Sequence, residues 1–363
     1  MRKLDRDLYA DFLQLVRLGI GTSNDGRISN KTDWARMKAL ADEQGLSAVV
    51  LDALNAGGNH LTMTMPLQMK LEWIGKVLQN YEQRYVTYEK AISSLAGFYN
   101  QHWFKMMVVK GYACSVDWPK PNHRPCGDID IWQFGQWKEA NNAIAEEKGI
   151  KIDNSHHHHT LFDWHGFTVE NHYDFIEVHH HKSNPKFEEI LKELAKDDTY
   201  VVVLDGEKVY FPSPNLHALF LLKHAMSHFA AEVFTFRQLL DWAFFVQKHT
   251  NEINWSWIEQ ILEEYGMKKL YDVFNAICVG DLGFDVHIFP KVQFDPALKD
   301  RVLNEMLSPE FSETEPKGLI SRVMFKYRRW KANEWKHKLC YKESMWSAFW
   351  SGTWNHLLKP SSI

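Results

Sequence analysis

The sequence predicts a mixed α/β (α+β) protein, with a mixed-sheet core held between an N-terminal and a C-terminal helical region. Three observations carry this prediction. Apolar residues recur at helical spacing from residue 1 to about 100. From about 103 to 212, short β-branched and aromatic runs alternate with helix-length segments and end in a hairpin pattern around Asp205-Gly206. After Ser213-Pro214, long helical periodicity returns. The regions expected are therefore 1–102, 103–212 and 213–363.

Taken in order, Leu8, Phe12, Leu15 and Val16 share one helical face, as do Trp34, Met37, Leu40 and Ala41. Leu46, Val49, Val50 and Leu54 continue the pattern, with breaks at 21–31 and 55–59. A long helix is expected from Pro66 to about His102, leading into a first strand at Lys105–Val109. Helices follow at Gly111–Asp117 and Gly135–Lys148. Strands are expected at 127–133, 158–164 and 166–173 and in the hairpin 200–204 and 207–211. Asn215 to about His249 reads as helix with an interruption near Ala230–Thr235. Further helices are expected at Trp255–Glu264, at Lys268–Val279 and from Lys317 onward.

The chain has 363 residues, a hydrophobic share of 45% and a net charge of −4, which fits a globular protein without a global basic field. Non-specific nucleic-acid binding by the whole chain is therefore disfavoured. Four cysteines lack the paired spacing of a zinc site and the density of a disulfide scaffold, so they read as reduced thiols in a cytoplasmic protein. No apolar run reaches the roughly 20 residues that span a bilayer. Acids interrupt what an apolar signal core would need near the start.

The chemistry concentrates between Met106 and Trp132, which read MMVVKGYACSVDWPKPNHRPCGDIDIW. If Gly127 to Ile131 is a strand, Asp128 and Asp130 share one face and Ile129 and Ile131 the other. Two carboxylates in one small volume repel unless a cation sits between them, and oxygen donors suit Mg²⁺ or Mn²⁺. Strand, Lys110-Gly111 and helix form a phosphate-binding pattern: Gly111 permits close backbone approach, and Lys110 or Arg124 supplies charge. Two-metal phosphoryl or nucleotidyl transfer calls for a third carboxylate on a neighbouring strand. Glu170 is the first candidate and Glu177 the second.

The stretch VVKG…RPCGDIDIW, the histidine run and the later Val-Glu-x-His strand resemble the uncharacterised nucleotidyltransferase family of the DNA polymerase beta-like nucleotidyltransferase superfamily. The segment NLHALFLLKHAMSHF…FTFRQLLDWAFF is similar to the helical section that follows the core there. The resemblance implies Lys110 and Gly111 at the nucleotide phosphates, and Arg124 and Gly127 are expected to bind the nucleotide beside them. It implies Asp128 and Asp130 as metal ligands and Glu170 as the third acid. The expected reaction moves an NMP group from an NTP, with ATP the expected donor, to an acceptor hydroxyl on a small molecule, a protein side chain or an RNA end. Pyrophosphate is released and Mg²⁺ or Mn²⁺ is required. The superfamily's commoner Gly-Ser pair is here Lys110-Gly111. That departure supports a competing reading, a catalytically inactive relative that binds a nucleotide or a partner in the same cleft.

Four further features have ordinary readings. Among His156–His159, adjacent strand histidines alternate faces, so at most two would share an ion, and a polar strand end with one or two imidazoles near the site is the simpler account. His224 and His228 are four apart on a helix but lack the metalloprotease glutamate, which makes them packed or hydrogen-bonded histidines. Arg237, Gln238 and Asp241 form a polar stripe able to close over base or ribose, though an ordinary salt-bridged helix face explains them almost as well. The basic aromatic stretch KYRRWKANEWKHKLCYK suits nucleic-acid stacking, but packing of its tryptophans on the domain explains it as well.

Overall fold

The computed structural model describes residues 3–56, 65–179, 181–291, 293–311 and 313–346. The N-terminal region is helical: α1 (Lys3–Gly19), α2 (Trp34–Glu43), α3 (Ser47–Ala56), α4 (Leu67–Val77) and α5 (Arg84–Gln101). The Asp33 side chain caps α2 by accepting from the Arg36 amide at 3.1 Å. α4 and α5 join through a π-helical stretch, Leu78–Gln83, where one wide turn replaces regular α geometry.

The core holds one six-stranded sheet among the described residues: β1 (Met107–Val108), β2 (Ile129–Trp132), β3 (His159–Trp164), β4 (Phe167–His172), β5 (Val201–Leu204) and β6 (Glu207–Tyr210), ordered β3-β4-β2-β1-β6-β5. It is mixed: β2 runs parallel to β4 and β1 to β6, while β1–β2, β3–β4 and β5–β6 are antiparallel. The short α6 (Tyr112–Ser115) follows β1, and α7 (Trp137–Lys148) follows β2. Asp205 and Gly206 both take positive φ, 48° and 88°, as the two-residue hairpin turn requires.

The structure adds a helix the periodicity did not predict, α8 (Asn184–Leu194), begun by Asn184-Pro185 and anchored by buried Phe187 and Leu191. After it come α9 (Pro214–Ala231), α10 (Phe236–His249), α11 (Trp255–Tyr265) and α12 (Lys268–Gly280). Ser213 precedes α9 as expected but makes no side-chain capping bond, whereas Thr235 and Gln238 close a capping box on α10. A second unanticipated helix, α13 (Pro296–Leu307), precedes α14 (Leu319–Ala332) and α15 (Glu334–Cys340). Trp335 packs edge-on against Phe229, and Lys336 pairs with Glu305 in a buried contact of 2.8 Å, so this basic aromatic segment is partly internal. Its continuation beyond Trp346, like His180, lies outside the described residues. Among the described residues no helix is long and apolar enough to cross a membrane.

Two hydrophobic clusters flank the sheet. One face, carrying Ile129, Ile131, Val169 and Phe162, packs on α5 and α7 through Tyr88, Ile92, Ala140 and Ile144. The larger cluster joins α1–α4 to α8–α13 and α15. Since the apolar residues of β2 and β4 turn to the first cluster, their alternate residues face α9 and α10.

A buried ion pair fastens the loop before β2 to α10. Arg124 donates from Nε and Nη2 to the two carboxylate oxygens of Asp241 at 2.7 and 2.9 Å, and Trp118 Nε1 donates to the same carboxylate at 2.9 Å. Removing one partner leaves a desolvated charge. Asp241→Ala is expected to lower unfolding free energy by about 3–5 kcal/mol. The paired change Arg124→Met with Asp241→Leu should restore much of the loss. Urea unfolding of the three proteins checks this, and equal destabilisation by single and double variants would refute it.

Candidate active site

The strand register brings the acids together. β2 and β4 are parallel with Asp130 opposite Glu170, so neighbouring side chains at one register point to the same face. Asp128 lies one residue before β2 and two before Asp130, at the exposed mouth of the same cavity. That cavity, about 420 Å³, is walled by residues of β2, β3 and β4 and the turn after β1 on one side and by α9 and α10 on the other. Lys110, Gly111, Arg124, Gly127, Asp128, Asp130 and Glu170 all line it. Glu177 does not, and lies instead beside His158 at 3.5 Å.

Asp130 is buried and its charge is met by two groups. Lys110 Nζ lies 2.6 Å from its Oδ1 and His172 Nε2 lies 3.1 Å from the same oxygen. Burial alone would raise the Asp130 pKa, but the Lys110 charge and the His172 hydrogen bond outweigh it and hold the carboxyl well below its ordinary range. Glu170 Oε2 is 3.5 Å from His172 Nε2. Despite burial, that contact keeps Glu170 lowered as well. Lys110 also donates to His224 Nε2 at 3.3 Å. Burial, then the Lys110 charge, force the His224 ring to stay neutral and accept that bond.

Asp128 differs. Partial desolvation, and then the charges of Glu170 and Asp130, raise its carboxyl above the ordinary range. The three acids therefore hold more negative charge than Lys110 and His172 neutralise, and both contacts to Asp130 leave its Oδ2 unused. An all-oxygen donor set short of positive charge fits a divalent ion such as Mg²⁺ or Mn²⁺. The tightest grouping here is Asp130, Glu170 and His172, with one ligand atom each within 4.8 Å of one another, while Asp128 lines the same cavity outside that grouping.

Gly111 is required by packing before any ligand is considered. It has φ 55°, and a Cβ there would fall 2.4 Å from Tyr88 Oη, which donates to the Asp128 carbonyl at 2.7 Å. The glycine thus lets Tyr88 fix the backbone that carries Asp128. Gly127 also lines the cavity, and a Cβ there would meet nothing within 4 Å. Arg124, although on the wall, has its guanidinium committed to Asp241 and the Pro125 carbonyl. Arg237 is different: it lines the same wall, and its guanidinium makes no hydrogen bond or ion pair with the described residues. Burial, then the neighbouring Arg124 charge, lower its pKa.

Sequence reasoning missed His172 and gave Arg237 only a general place. The signal for His172 was present, since it stands two residues after Glu170 and a strand returns it to the same face. Of the histidine run, His158 and His159 reach the cavity. His224 and His228 line it too, with their Nε2 atoms 3.2 Å apart, so they are hydrogen-bonded as expected. His181, away from the cavity, stacks on Tyr341 at 3.6 Å.

His172 gives the site a predictable pH dependence. Burial lowers its pKa, but the hydrogen bond to Asp130 and the neighbouring Glu170 carboxylate leave it raised above 6.5. The ionic contribution is then full below the unfolded value of about 6.5 and is lost as pH rises through the folded value. The stability gap between the protein and its His172→Gln variant should therefore be larger at pH roughly 5.5 than at pH roughly 9. Urea unfolding without added metal at both pH values measures it, and a gap that widens with pH would overturn the assignment.

Comparison with known proteins adds one finding. No curated protein and no solved structure matches the chain. The family model described as uncharacterised nucleotidyltransferase matches residues 30–279, more than half the chain, including every cavity-lining residue named above. The chain therefore belongs to the uncharacterised nucleotidyltransferase family.

Proposed function

We propose that the chain transfers a nucleoside monophosphate from an NTP, with ATP the expected donor, to an acceptor hydroxyl, releasing pyrophosphate, in the cytoplasm. The observation that carries this reading is the convergence of Asp128, Asp130 and Glu170 in one cavity with two cations, Lys110 and Arg237, on its walls. Asp128, Asp130 and Glu170 would hold Mg²⁺ or Mn²⁺, which supplies Lewis acidity at phosphate oxygens and lowers the pKa of a bound hydroxyl. Arg237 meets the triphosphate with a guanidinium not already spent on an acid. Lys110 can move its charge from Asp130 to the β- and γ-phosphates, because a flexible stem carries it. Glu170 takes the proton of the acceptor hydroxyl as its oxygen bonds to the α-phosphorus and the bond to the pyrophosphate oxygen breaks. Lys110 and Arg237 then face the charge left on pyrophosphate. The acceptor is a hydroxyl of unassigned origin.

One observation favours a second reading. Lys110 sits on Asp130 at 2.6 Å, the place a cation bound to that carboxylate would take. An ammonium fixed there would make the protein a nucleotide- or partner-binding relative without turnover. The two readings differ in metal dependence.

Three measurements decide. With Mg²⁺ and ATP, the melting temperature of the protein should rise, while Asp128→Asn and Asp130→Asn should lose most of that rise and all pyrophosphate release. An equal ATP-induced rise with EDTA present would favour the non-catalytic reading. Glu170→Gln is expected to slow pyrophosphate release about 100-fold or more and Glu177→Gln less than about 10-fold; reversed effects would move the third acid to Glu177. Arg237→Met should weaken ATP binding by about 1.5–3 kcal/mol, the worth of a charge-assisted contact, with folding followed by circular dichroism. Unchanged affinity would remove the triphosphate from this wall.

A further inference from the structure

The sequence makes adjacent histidines look separated, because strand residues alternate faces. The structure removes that restriction. β3 begins at His159, so His158 belongs to the incoming loop and is free to turn to the same side. His172, at the end of β4, pairs with His159 across the antiparallel ladder. The three imidazoles meet there: ring centroids lie 4.3 Å apart for His158–His159, 5.3 Å for His159–His172 and 5.6 Å for His158–His172. One nitrogen from each lies within 4.8 Å of the others.

Two of these rings have buried nitrogens without a hydrogen bond. The Nδ1 atoms of His158 and His159 are both shielded from solvent, and neither has a hydrogen-bonding partner among the described residues. Leaving a buried polar atom unsatisfied costs about 1–3 kcal/mol, so a pair of them on adjacent residues asks for a ligand. Carboxylates are close but do not supply it: Glu177 Oε2 is 3.5 Å from His158 Nδ1, and Glu170 Oε2 is 3.9 Å from His159 Nδ1. Both distances exceed an ordinary hydrogen bond.

We propose that His158, His159 and His172 form a nitrogen-rich site for a divalent transition ion of the zinc class, distinct from the all-oxygen site of Asp128, Asp130 and Glu170. Two donors on a shared zinc, each about 2 Å from it, lie about 3.3 Å apart in tetrahedral geometry, and rotation of one imidazole closes the remaining difference. Three imidazoles, His172 after giving up its proton, prefer zinc, cobalt or nickel, whereas Mg²⁺ prefers oxygen. Glu170, 3.9 Å from His159 and 3.5 Å from His172, stands between the two sites and is the natural fourth ligand. His172 is shared in another sense: an ion on its Nε2 takes that atom from Asp130. Zinc occupancy and the charge balance of the carboxylate site are therefore linked. The inference does not depend on nucleotidyl transfer, because it concerns binding of the ion alone.

The test uses the full chain stripped with EDTA and Zn²⁺ as the probe, titrated against a chromophoric chelator in the presence of excess Mg²⁺. Wild type is expected to bind one Zn²⁺ that Mg²⁺ does not displace. His158→Gln and His159→Gln should each weaken it about 10-fold or more, and the double variant about 100-fold or more. Asp128→Asn should keep the zinc while losing the stabilisation by Mg²⁺ and ATP, so failure of the nucleotide reading would leave this result intact. Equal zinc affinity in wild type and the double variant would overturn the proposal. If the double variant does not fold, Co²⁺ bound to wild type decides: strong visible absorption of a four-coordinate site supports the proposal, and the weak absorption of an octahedral site overturns it.

Discussion

Asp130 is a charge that the protein has placed almost out of water, and the surrounding architecture is organised by the need to balance it. A lone buried carboxylate would be protonated or expelled. Here β4 brings His172 to one side, β1 ends so that Lys110 reaches the other, and both contact the same oxygen. The parallel pairing of β2 with β4 sets Glu170 opposite Asp130 and adds a second negative charge to the same volume. A site built in this way is ionic but not neutral, and Asp128 at its mouth carries the excess.

Rigid elements hold that imbalance in place. Tyr88, from the long helix behind the sheet, crosses to the Asp128 carbonyl through the space that only a glycine at 111 leaves open. Arg124 and Asp241 lock the loop before β2 to α10, so the cavity wall carrying Arg237 cannot drift from the wall carrying the acids without breaking a buried ion pair. Binding and packing roles are thus divided between two neighbouring arginines: Arg124 is spent on the fold, and Arg237 is left with its charge available. The same α9 and α10 also pack with the N-terminal helices in one continuous apolar cluster.

The histidines around β3 and β4 give the site a second chemical character. Imidazole nitrogens and carboxylate oxygens meet at Glu170 and His172, so one end of the cavity suits a hard ion and the other a borderline one. Competition between these ions would act directly on the charges that hold Lys110. Such coupling arises from shared neighbours and needs no change of fold.

Much of the fold was legible because its signals are local. The Asp-Gly hairpin, the Ser213-Pro214 start of α9, the interruption near 230–235 and the alternation of β2 to β4 all depend on residues within a few positions of one another. The Asp-x-Asp spacing similarly puts two acids on one face, and the Val-Glu-x-His strand puts Glu170 and His172 on one. Helices α8 and α13 escaped because their apolar stripes are short and gain meaning only from what they pack against. By itself the sequence determined which residues lie on a common face of each strand and which carry charge. Only the tertiary structure decided that Lys110 would rest on Asp130, that Arg124 would be consumed by Asp241 while Arg237 was not, that Gly111 answers to Tyr88, and that His158, His159 and His172 meet. These are contacts between segments far apart in the chain, and their distances follow from strand register and helix docking, which no local spacing encodes.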